Sequence, residues 1–545
     1  MSGRHEGYRK SKGSRICSLT YHGQPCIKYW SPQDILPAGM TVLEHENQEL
    51  ATKLKWYEEQ FRLNQSKRFG ASSEKTSLEQ LALFNEAEKT AHPKAQEPTV
   101  EEIIYKRRKA RGSNKDTMAD FPVEVIEYYL LEEEQVCPEC DHTLHVMSKE
   151  VRRELTIIPA QVKVVEHVRS VYACRNCEKQ NTRTPIITAP MPAAVLPGSF
   201  VSPSLMAFVM NRKYSEAIPL YRQEQQFVNF GIDLSRQTLA NWMIHGANKS
   251  LKVLYDRMHT KLLAESFLHA DETTLQVLQE EGRPATSKSY MWLYATGKFG
   301  PQIFLYDYQV SRASKHPKNF LTGFKGLLQT DGYPGYNDVT DVTRVGCFAH
   351  ARRGFTDALK ALPDKASPSS SVAMEGIEYC NKLFSIERTL SDLSPEKRYK
   401  ERLDQSKPVL EAFLLWLTVK KQQVLPKSQL GKAVSYCLNQ WCKLEAFLLD
   451  GQTEVSNNRA ERAIKPFVIG RKNFLFSKSP KGATASALIY SVIETAKSNG
   501  LSPYHYLVYL FEKLPNIDLR NLDQVDDLLP WSASIPDSCS VPSKR

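Results

Sequence analysis

SFLHADETTLQVL, residues 266–278, reads as a β-strand with Asp271 inside it. Two further runs of aromatic and branched residues follow, YMWLYAT at 290–296 and QIFLYDY at 302–308. HPKNFLTGF, 316–324, reads as a helix. GLLQTDGYPGY, 326–336, is a buried apolar strand that ends in Asp331 and a turn. TRVGCFAHARRGF, 343–355, is a strand that leads into a helix.

Three strands, a helix, a strand and a strand–helix is the order of an RNase H-like core, a mixed sheet flanked by helices. In that fold the first and fourth strands are neighbours, so Asp271 and Asp331 are expected to converge. A third acid, Glu461, stands in SNNRAERAIKPF, 456–467, where Asn457 and Asn458 mark a helix start. Arg459, Arg462 and Lys465 surround it, and Arg471 and Lys472 lie just beyond. One explanation is a solvated helix in which Glu461 and Lys465 pair at i,i+4. The other is that the acid binds a cation while the bases bind a polyanion. Phosphodiester transfer asks for two divalent cations, Mg²⁺ or Mn²⁺, and two or three hard carboxylate ligands suffice to hold them. Asp331 taken alone is turn chemistry in DGYPG, and Asp271 taken alone is a strand acid bonded to local backbone. Their strand, strand, helix order favours the three-acid cluster. His350, Arg352 and Arg353 are the near-site residues, with His350 able to touch a scissile phosphate or to play a helix-capping role.

The chain has 545 residues, too many for one core, and its 41% hydrophobic and 10% aromatic content is that of folded protein. A formal net charge of +11 is compatible with a nucleic-acid partner without requiring one. The 11 cysteines are odd in number and four form two CxxC pairs, which favours thiols and a metal in a reducing compartment over a disulfide framework. No apolar run has membrane-spanning length and no signal-peptide core is present, so a cytoplasmic location is expected.

Residues 1–39 form an N-terminal extension of unreadable role, and Met40 is a candidate start. In 40–69, Leu43, Asn47, Leu50, Leu54, Tyr57, Phe61 and Asn64 alternate at four and three, a heptad seam for a coiled coil or for a helix packed on its own domain. A polar linker, 70–125, contains YKRRKARGSNK, 105–115, where Arg107, Arg108 and Lys109 are candidate phosphate contacts. In 126–190, CPEC (137–140) and CRNC (174–177) flank a run from Glu154 to Val171 that reads as extended. Cys137, Cys140, Cys174 and Cys177 then suit a tetrahedral Zn²⁺ in a ribbon, the alternative being four buried or free thiols. Asp141 follows the second cysteine where glycine would turn most easily. Residues 191–262 read as helical. Ser235 caps a helix preceded by Gly231, as in a helix-turn-helix that exposes Arg236, Gln237 and Asn241 to DNA. An ordinary helical hairpin with Leu239 and Trp242 in its core fits equally.

HADETTLQVL (269–278), QTDGYPGYN (329–337), GCFAHARRGF (346–355) and the block SNNRAERAIKPFVIGRKNFLFSKSPKGATASALIYSVIETAKSNGL (456–501) resemble the DDE transposase of the insertion sequence 66 family, TnpC type. The resemblance runs from about residue 40 to 520. It implies that Asp271, Asp331 and Glu461 are a catalytic triad and that the four cysteines belong to a zinc-finger segment. It also implies double-stranded DNA partners (transposon ends and target), strand cleavage and strand transfer. Asn458, Arg459, Arg462, Lys465, Arg471, Lys472, Arg352 and Arg353 are the expected DNA contacts near the site. A homodimer or higher oligomer on DNA and accessory proteins of the same element complete the implied partners. Phe348 and Phe474 stand where the family often has tryptophan, and Lys465 where arginine is commoner, which keeps charge but loses the planar fork.

Asp331 and Glu461 are 130 positions apart (461 − 331), more than such a core needs. The first part of the core is therefore assigned to 263–361, a helical insertion to 362–450, the Glu461 part of the core to 451–515 and a C-terminal tail to 516–545. After Pro466 the chain is expected to turn and run extended through FLF, then form a long helix stopped by Gly500. Two other functions fit the same residues. One is a nuclease or resolvase that cuts without joining. The other is an end-recognition or repressor protein whose core is inactive.

Overall fold

A computed structural model of the chain describes residues 161–173, 186–362 and 371–541, with helical positions among 50–61. Cys137, Cys140, Cys174, Cys177, Arg107, Arg108, Lys109, Leu43, Asn47 and residues 1–39 lie outside the described residues. At the helical positions, Leu50, Leu54, Tyr57 and Phe61 are each more than half exposed. Val171–Ala173 (β1) pairs antiparallel with Ile186–Thr188 (β2). Of the run expected to be extended, 154–160 lie outside the described residues, 161–170 carry no regular strand and Val171 opens β1.

Four helices follow: α1 (Pro203–Tyr214), α2 (Leu220–Asn229), α3 (Arg236–Gly246) and α4 (Lys252–Leu263). Ser202 and Ser235 begin α1 and α3, each hydroxyl accepting a first-turn N–H. Gly231 takes φ 79° in the turn before α3, a conformation that costs a side-chain-bearing residue energy. Leu239 and Trp242 are buried in α3 while Arg236, Gln237 and Asn241 face outward.

The centre is a five-stranded mixed sheet in the order β5-β4-β3-β6-β7. Its strands are β3 (Phe267–Gln276), β4 (Lys288–Thr296), β5 (Phe304–Gln309), β6 (Gly326–Gln329) and β7 (Val342–Val345), with α5 (Lys315–Phe320) between β5 and β6. β3 to β5 form an antiparallel meander, and β6 and β7 add in parallel on the other side of β3. β3 is thus central, so Asp271, opposite Leu293, sits in the middle of the sheet.

After β7 come α6 (Phe348–Lys360), α7 (Val372–Thr389), α8 (Pro395–Glu401), α9 (Lys407–Gln423), α10 (Gln429–Asn439) and α11 (Trp441–Glu445). Phe355, Ile377, Leu383, Phe413 and Val434 make these helices an apolar core of their own. Phe348 is fully buried edge-on to Phe447, with ring centroids 5.7 Å apart, so phenylalanine fills its position well. The chain then returns to the sheet with α12 (Asn458–Phe474), α13 (Pro480–Ser498) and α14 (Pro503–Lys513).

Two expectations are corrected here. Pro466 does not end its helix, because α12 continues through it to Phe474. The proline forfeits one intrahelical hydrogen bond, but Ile464, Phe467 and Gly470 bury the face that continues past it, and burial outweighs the break. Leu475 then takes φ 64° to leave the helix. Nor does the segment assigned as a C-terminal tail, 516–545, stand apart from the core. Val525, Leu528, Leu529 and Cys539 are buried in the core of the sheet domain, and Arg257 grips Asp526 through Nη2 at 2.6 Å. Gly500, at φ 78°, follows α13 as expected.

Candidate active site

Three elements bring the acids together: Asp271 from the middle of β3, Asp331 two residues beyond β6, and Glu461 in the first turn of α12. Parallel pairing of β3 with β6 sets the first two side by side. Asp331 does perform turn chemistry, since the Tyr333 N–H donates to its Oδ1 at 2.8 Å while Gly332 takes φ 93°. Asp271 likewise accepts the Glu272 N–H on Oδ1 at 2.8 Å. The bland local roles are therefore real, and they fix the carboxylates rather than exhausting them.

The charges of both other acids are felt at Asp271. Burial, followed by the neighbouring Glu272 charge and then by Asp331 and Glu461, pushes the Asp271 carboxyl up to about 8. Glu461 Oε1 is buried without a hydrogen-bond partner. Its nearest cationic and polar partners are on another helix, Arg353 Nη2 and His350 Nδ1 both at 3.8 Å, rather than Lys465 along α12. Burial first, and then Arg353, holds the His350 imidazole below its ordinary range. Its Nε2 lies 3.3 Å from Arg353 Nη1, which can only donate, so the neutral ring carries its proton on Nδ1, toward Glu461. His350 is in the first turn of α6 but its ring does not cap that helix.

Cys347, His350 and Glu461 each offer a ligand atom within 4.8 Å of the others. Cys347 is an unsuitable ligand for a hard cation. Burial pushes its thiol up to about 11, and its Sγ accepts the Asn457 N–H at 3.1 Å.

Asn457 is the residue beside the acids whose contacts the sequence concealed. It starts α12 without capping it. Fully buried, its Nδ2 donates to the Ala270 carbonyl at 2.9 Å and its Oδ1 meets His269 Nδ1 at 2.9 Å. One side chain thus locks the start of the Glu461 helix to the residue before Asp271. At the far end of α12, Arg471 Nη1 bonds Thr273 Oγ1 at 3.3 Å and the Thr274 carbonyl, both on β3. Arg459 also turns inward, with Nε on the Thr296 carbonyl at 2.7 Å and its guanidinium over Phe304. Both arginines, expected on DNA, also brace α12 against the sheet. Arg462, Lys465 and Lys472 lie on the exposed side of α12, and Asn458 is half-buried. Arg352 bonds Asn381 Oδ1 at 2.7 Å, while Arg353 stays more than half exposed beside the acids.

Comparison with known proteins agrees with this architecture. A profile described as "Transposase IS66 family" matches residues 198–485, more than half of the chain. "Zinc-finger binding domain of transposase IS66" matches 134–178, which spans all four CxxC cysteines, and "IS66 C-terminal element" matches 491–531. "Transposase C of IS166 homeodomain" matches 56–126. The uncharacterized protein y4hP of Sinorhizobium fredii (strain NBRC 101917 / NGR234) is 31% identical over 424 residues, 74% of this chain and 74% of that protein. The uncharacterized protein y4jD of the same organism is 32% identical over 414 residues, 73% of this chain and 78% of that protein. No helix among the described residues is long and apolar enough to cross a membrane. By the extent of these matches, the chain belongs to the IS66 family of transposases.

Proposed function

We propose that the chain cuts and joins DNA at the ends of an insertion sequence, using Asp271, Asp331 and Glu461 on an RNase H-like core. The observation that carries this reading is the convergence of three carboxylates from β3, the end of β6 and the start of α12, with Asp271 pushed up to about 8. Gathering carboxylates in a largely buried site disfavours their charged forms, a cost that a bound divalent cation would offset. The donor set fits Mg²⁺ or Mn²⁺: hard oxygens and a Glu461 oxygen without a hydrogen-bond partner, with the Cys347 thiol engaged by the Asn457 N–H. When bound there, divalent ions would activate the attacking oxygen and steady the leaving one.

The rest of the work falls to the protein's own groups. Backbone N–H groups of Glu272 and Tyr333 orient the two aspartates. Asn457 holds the Glu461 helix in register with β3. Neutral His350 presents Nδ1–H toward Glu461, and Arg353 supplies positive charge at the rim. Arg236, Gln237 and Asn241 on α3, together with Arg462, Lys465 and Lys472, would contact duplex DNA, and Cys137, Cys140, Cys174 and Cys177 would hold Zn²⁺. The exposed Leu50, Leu54 and Phe61 favour a dimer through the N-terminal helix.

The test is cleavage of a labelled duplex bearing the element's terminal inverted repeat, in Mg²⁺ or Mn²⁺. Cutting is expected from the wild type and loss of at least about a thousandfold from Asp271→Asn, Asp331→Asn and Glu461→Gln. Specific binding without cutting, even with the element's accessory proteins added, would mean a binding module instead. A pre-cut end offered with target DNA separates a transposase, which joins them, from a nuclease.

A further inference from the structure

One cation beside the acids comes from neither α6 nor α12. Arg312 follows β5, and its Nε donates to Glu272 Oε1 at 2.8 Å, with Nη2 on the same oxygen. Glu272 is the residue after Asp271, its side chain is almost wholly buried, and its Oε2 accepts the Tyr336 hydroxyl at 2.6 Å. The guanidinium lies 3.6 Å above the Tyr333 ring. Tyr333 in turn donates its hydroxyl to the Arg312 carbonyl at 2.6 Å and its N–H to Asp331. Arg312 is therefore tied to Asp271 through Glu272 and to Asp331 through Tyr333. Gly335 belongs to the same device, because a Cβ there would fall 2.2 Å from the Tyr333 ring that carries the guanidinium.

An arginine needed only to neutralise Glu272 would be buried with it. Arg312 keeps a side chain 39% exposed. The edge of the fork formed by Nε and Nη2 is committed to Glu272, and the opposite edge, Nη1 with two N–H donors, is turned away from it. A planar donor held by stacking and by a fixed carboxylate is ready-made for a phosphate, because little freedom remains to be lost on binding. Arg353 stands at the Glu461 side of the site and Arg312 at the Asp331 side, so the acids are flanked by two arginines.

We infer that Arg312 is a phosphate ligand of this site: its Nη1 edge receives a DNA backbone phosphate beside Asp271 and Asp331, with Glu272 and Tyr333 as its positioning residues. The inference rests on the DNA-cutting function proposed above. Its first test does not need cutting. Binding of the full chain to a random-sequence duplex in Mg²⁺ buffer is measured across salt concentrations. Arg312→Ala is expected to lower the slope of log K against log salt by about 0.9, the loss of one phosphate contact. The same variant should slow inverted-repeat cleavage by about 10–100-fold. Arg312→Lys should keep the slope and still cut more slowly, because the fork is lost. Arg312→Gln, which can still donate to Glu272 but is neutral, stands in if the alanine variant does not fold, with the same expected slope. An unchanged slope in a neutral variant that melts like the wild type overturns the proposal and leaves Arg312 as a strut for Glu272. Normal cutting by Asp271→Asn, by contrast, would sink the triad while leaving the slope measurement to stand by itself.

Discussion

Asn457 carries more of the site than its chemistry advertises. Asparagine at a helix start ordinarily spends its side chain on the first-turn N–H groups. Here the amide is fully buried and bonds His269 and the Ala270 carbonyl instead. Asn457→Ala would leave both groups buried without partners, at about 1–3 kcal/mol each. The expected result is a protein about 2–4 kcal/mol less stable by chemical denaturation, with cleavage lost as the first turn of α12 drifts from β3. Asn457→Asp restores the acceptor for His269 but sets an oxygen against the Ala270 carbonyl, so it should not rescue. A helix start was legible in the sequence at this position. Its partners, 188 and 187 positions away, were not.

Among the elements, β5 and α13 illustrate how an edge strand is closed. β5 is the outer strand of the sheet, and its unpaired N–H groups would otherwise invite another strand. Ser491 Oγ accepts the Tyr306 N–H at 2.8 Å, and Thr495 Oγ1 accepts the Phe304 N–H at 3.0 Å. The two hydroxyls are four residues apart on α13, one helical turn, and so meet alternate residues of the strand. Ser491→Ala with Thr495→Val removes both acceptors without changing the apolar packing greatly. A loss of about 2–4 kcal/mol in thermal or denaturant unfolding is expected, along with a greater tendency to aggregate. The sequence SVIETA shows a helix but gives no sign that its small polar residues serve a strand. α12 makes the complementary point, because Pro466 read alone forecasts a break and the buried face beyond it overrules that forecast.

At the scale of the whole sheet domain, two apolar cores meet around β6 and β7, one including the sheet and its flanking helices, the other the helices inserted between β7 and α12. Their relation is fixed by a buried ion network. Arg402, fully buried, meets Glu387 with Nε and Nη2 at 2.7 Å each, and Arg398 joins the same carboxylate at 2.7 Å. Arg402 also bonds the carbonyls of Phe447, Asp450 and Thr453, in the segment that leads directly into the Glu461 helix. Burial works against the Glu387 charge, but Arg402 and Arg398 outweigh it and hold the carboxyl below its ordinary range. Because the folded value is the lower one, the network's stabilisation is complete above the unfolded glutamate value of about 4.3 and is lost as pH falls through the folded value. Glu387→Gln, which strands two arginines, is expected to cost about 3–5 kcal/mol at neutral pH. It should also flatten the acid limb of a stability-against-pH curve. An acid limb identical to the wild type would show that the network does not anchor the inserted helices.

The order of strands and helices, the caps at Ser202 and Ser235, the stop at Gly500 and the nomination of three acids came from local sequence, because periodicity, turn chemistry and caps are set by residues a few positions apart. What the tertiary structure alone decided is which of those residues meet. It set Arg459 and Arg471 to brace α12 against the sheet, carried α12 past Pro466, packed the region after 515 into the core, and placed Arg312, Glu272 and Tyr333 around the aspartates. These outcomes depend on contacts between residues far apart in the chain, where burial and pairing energies exceed local preference, and a single sequence holds no record of such distances.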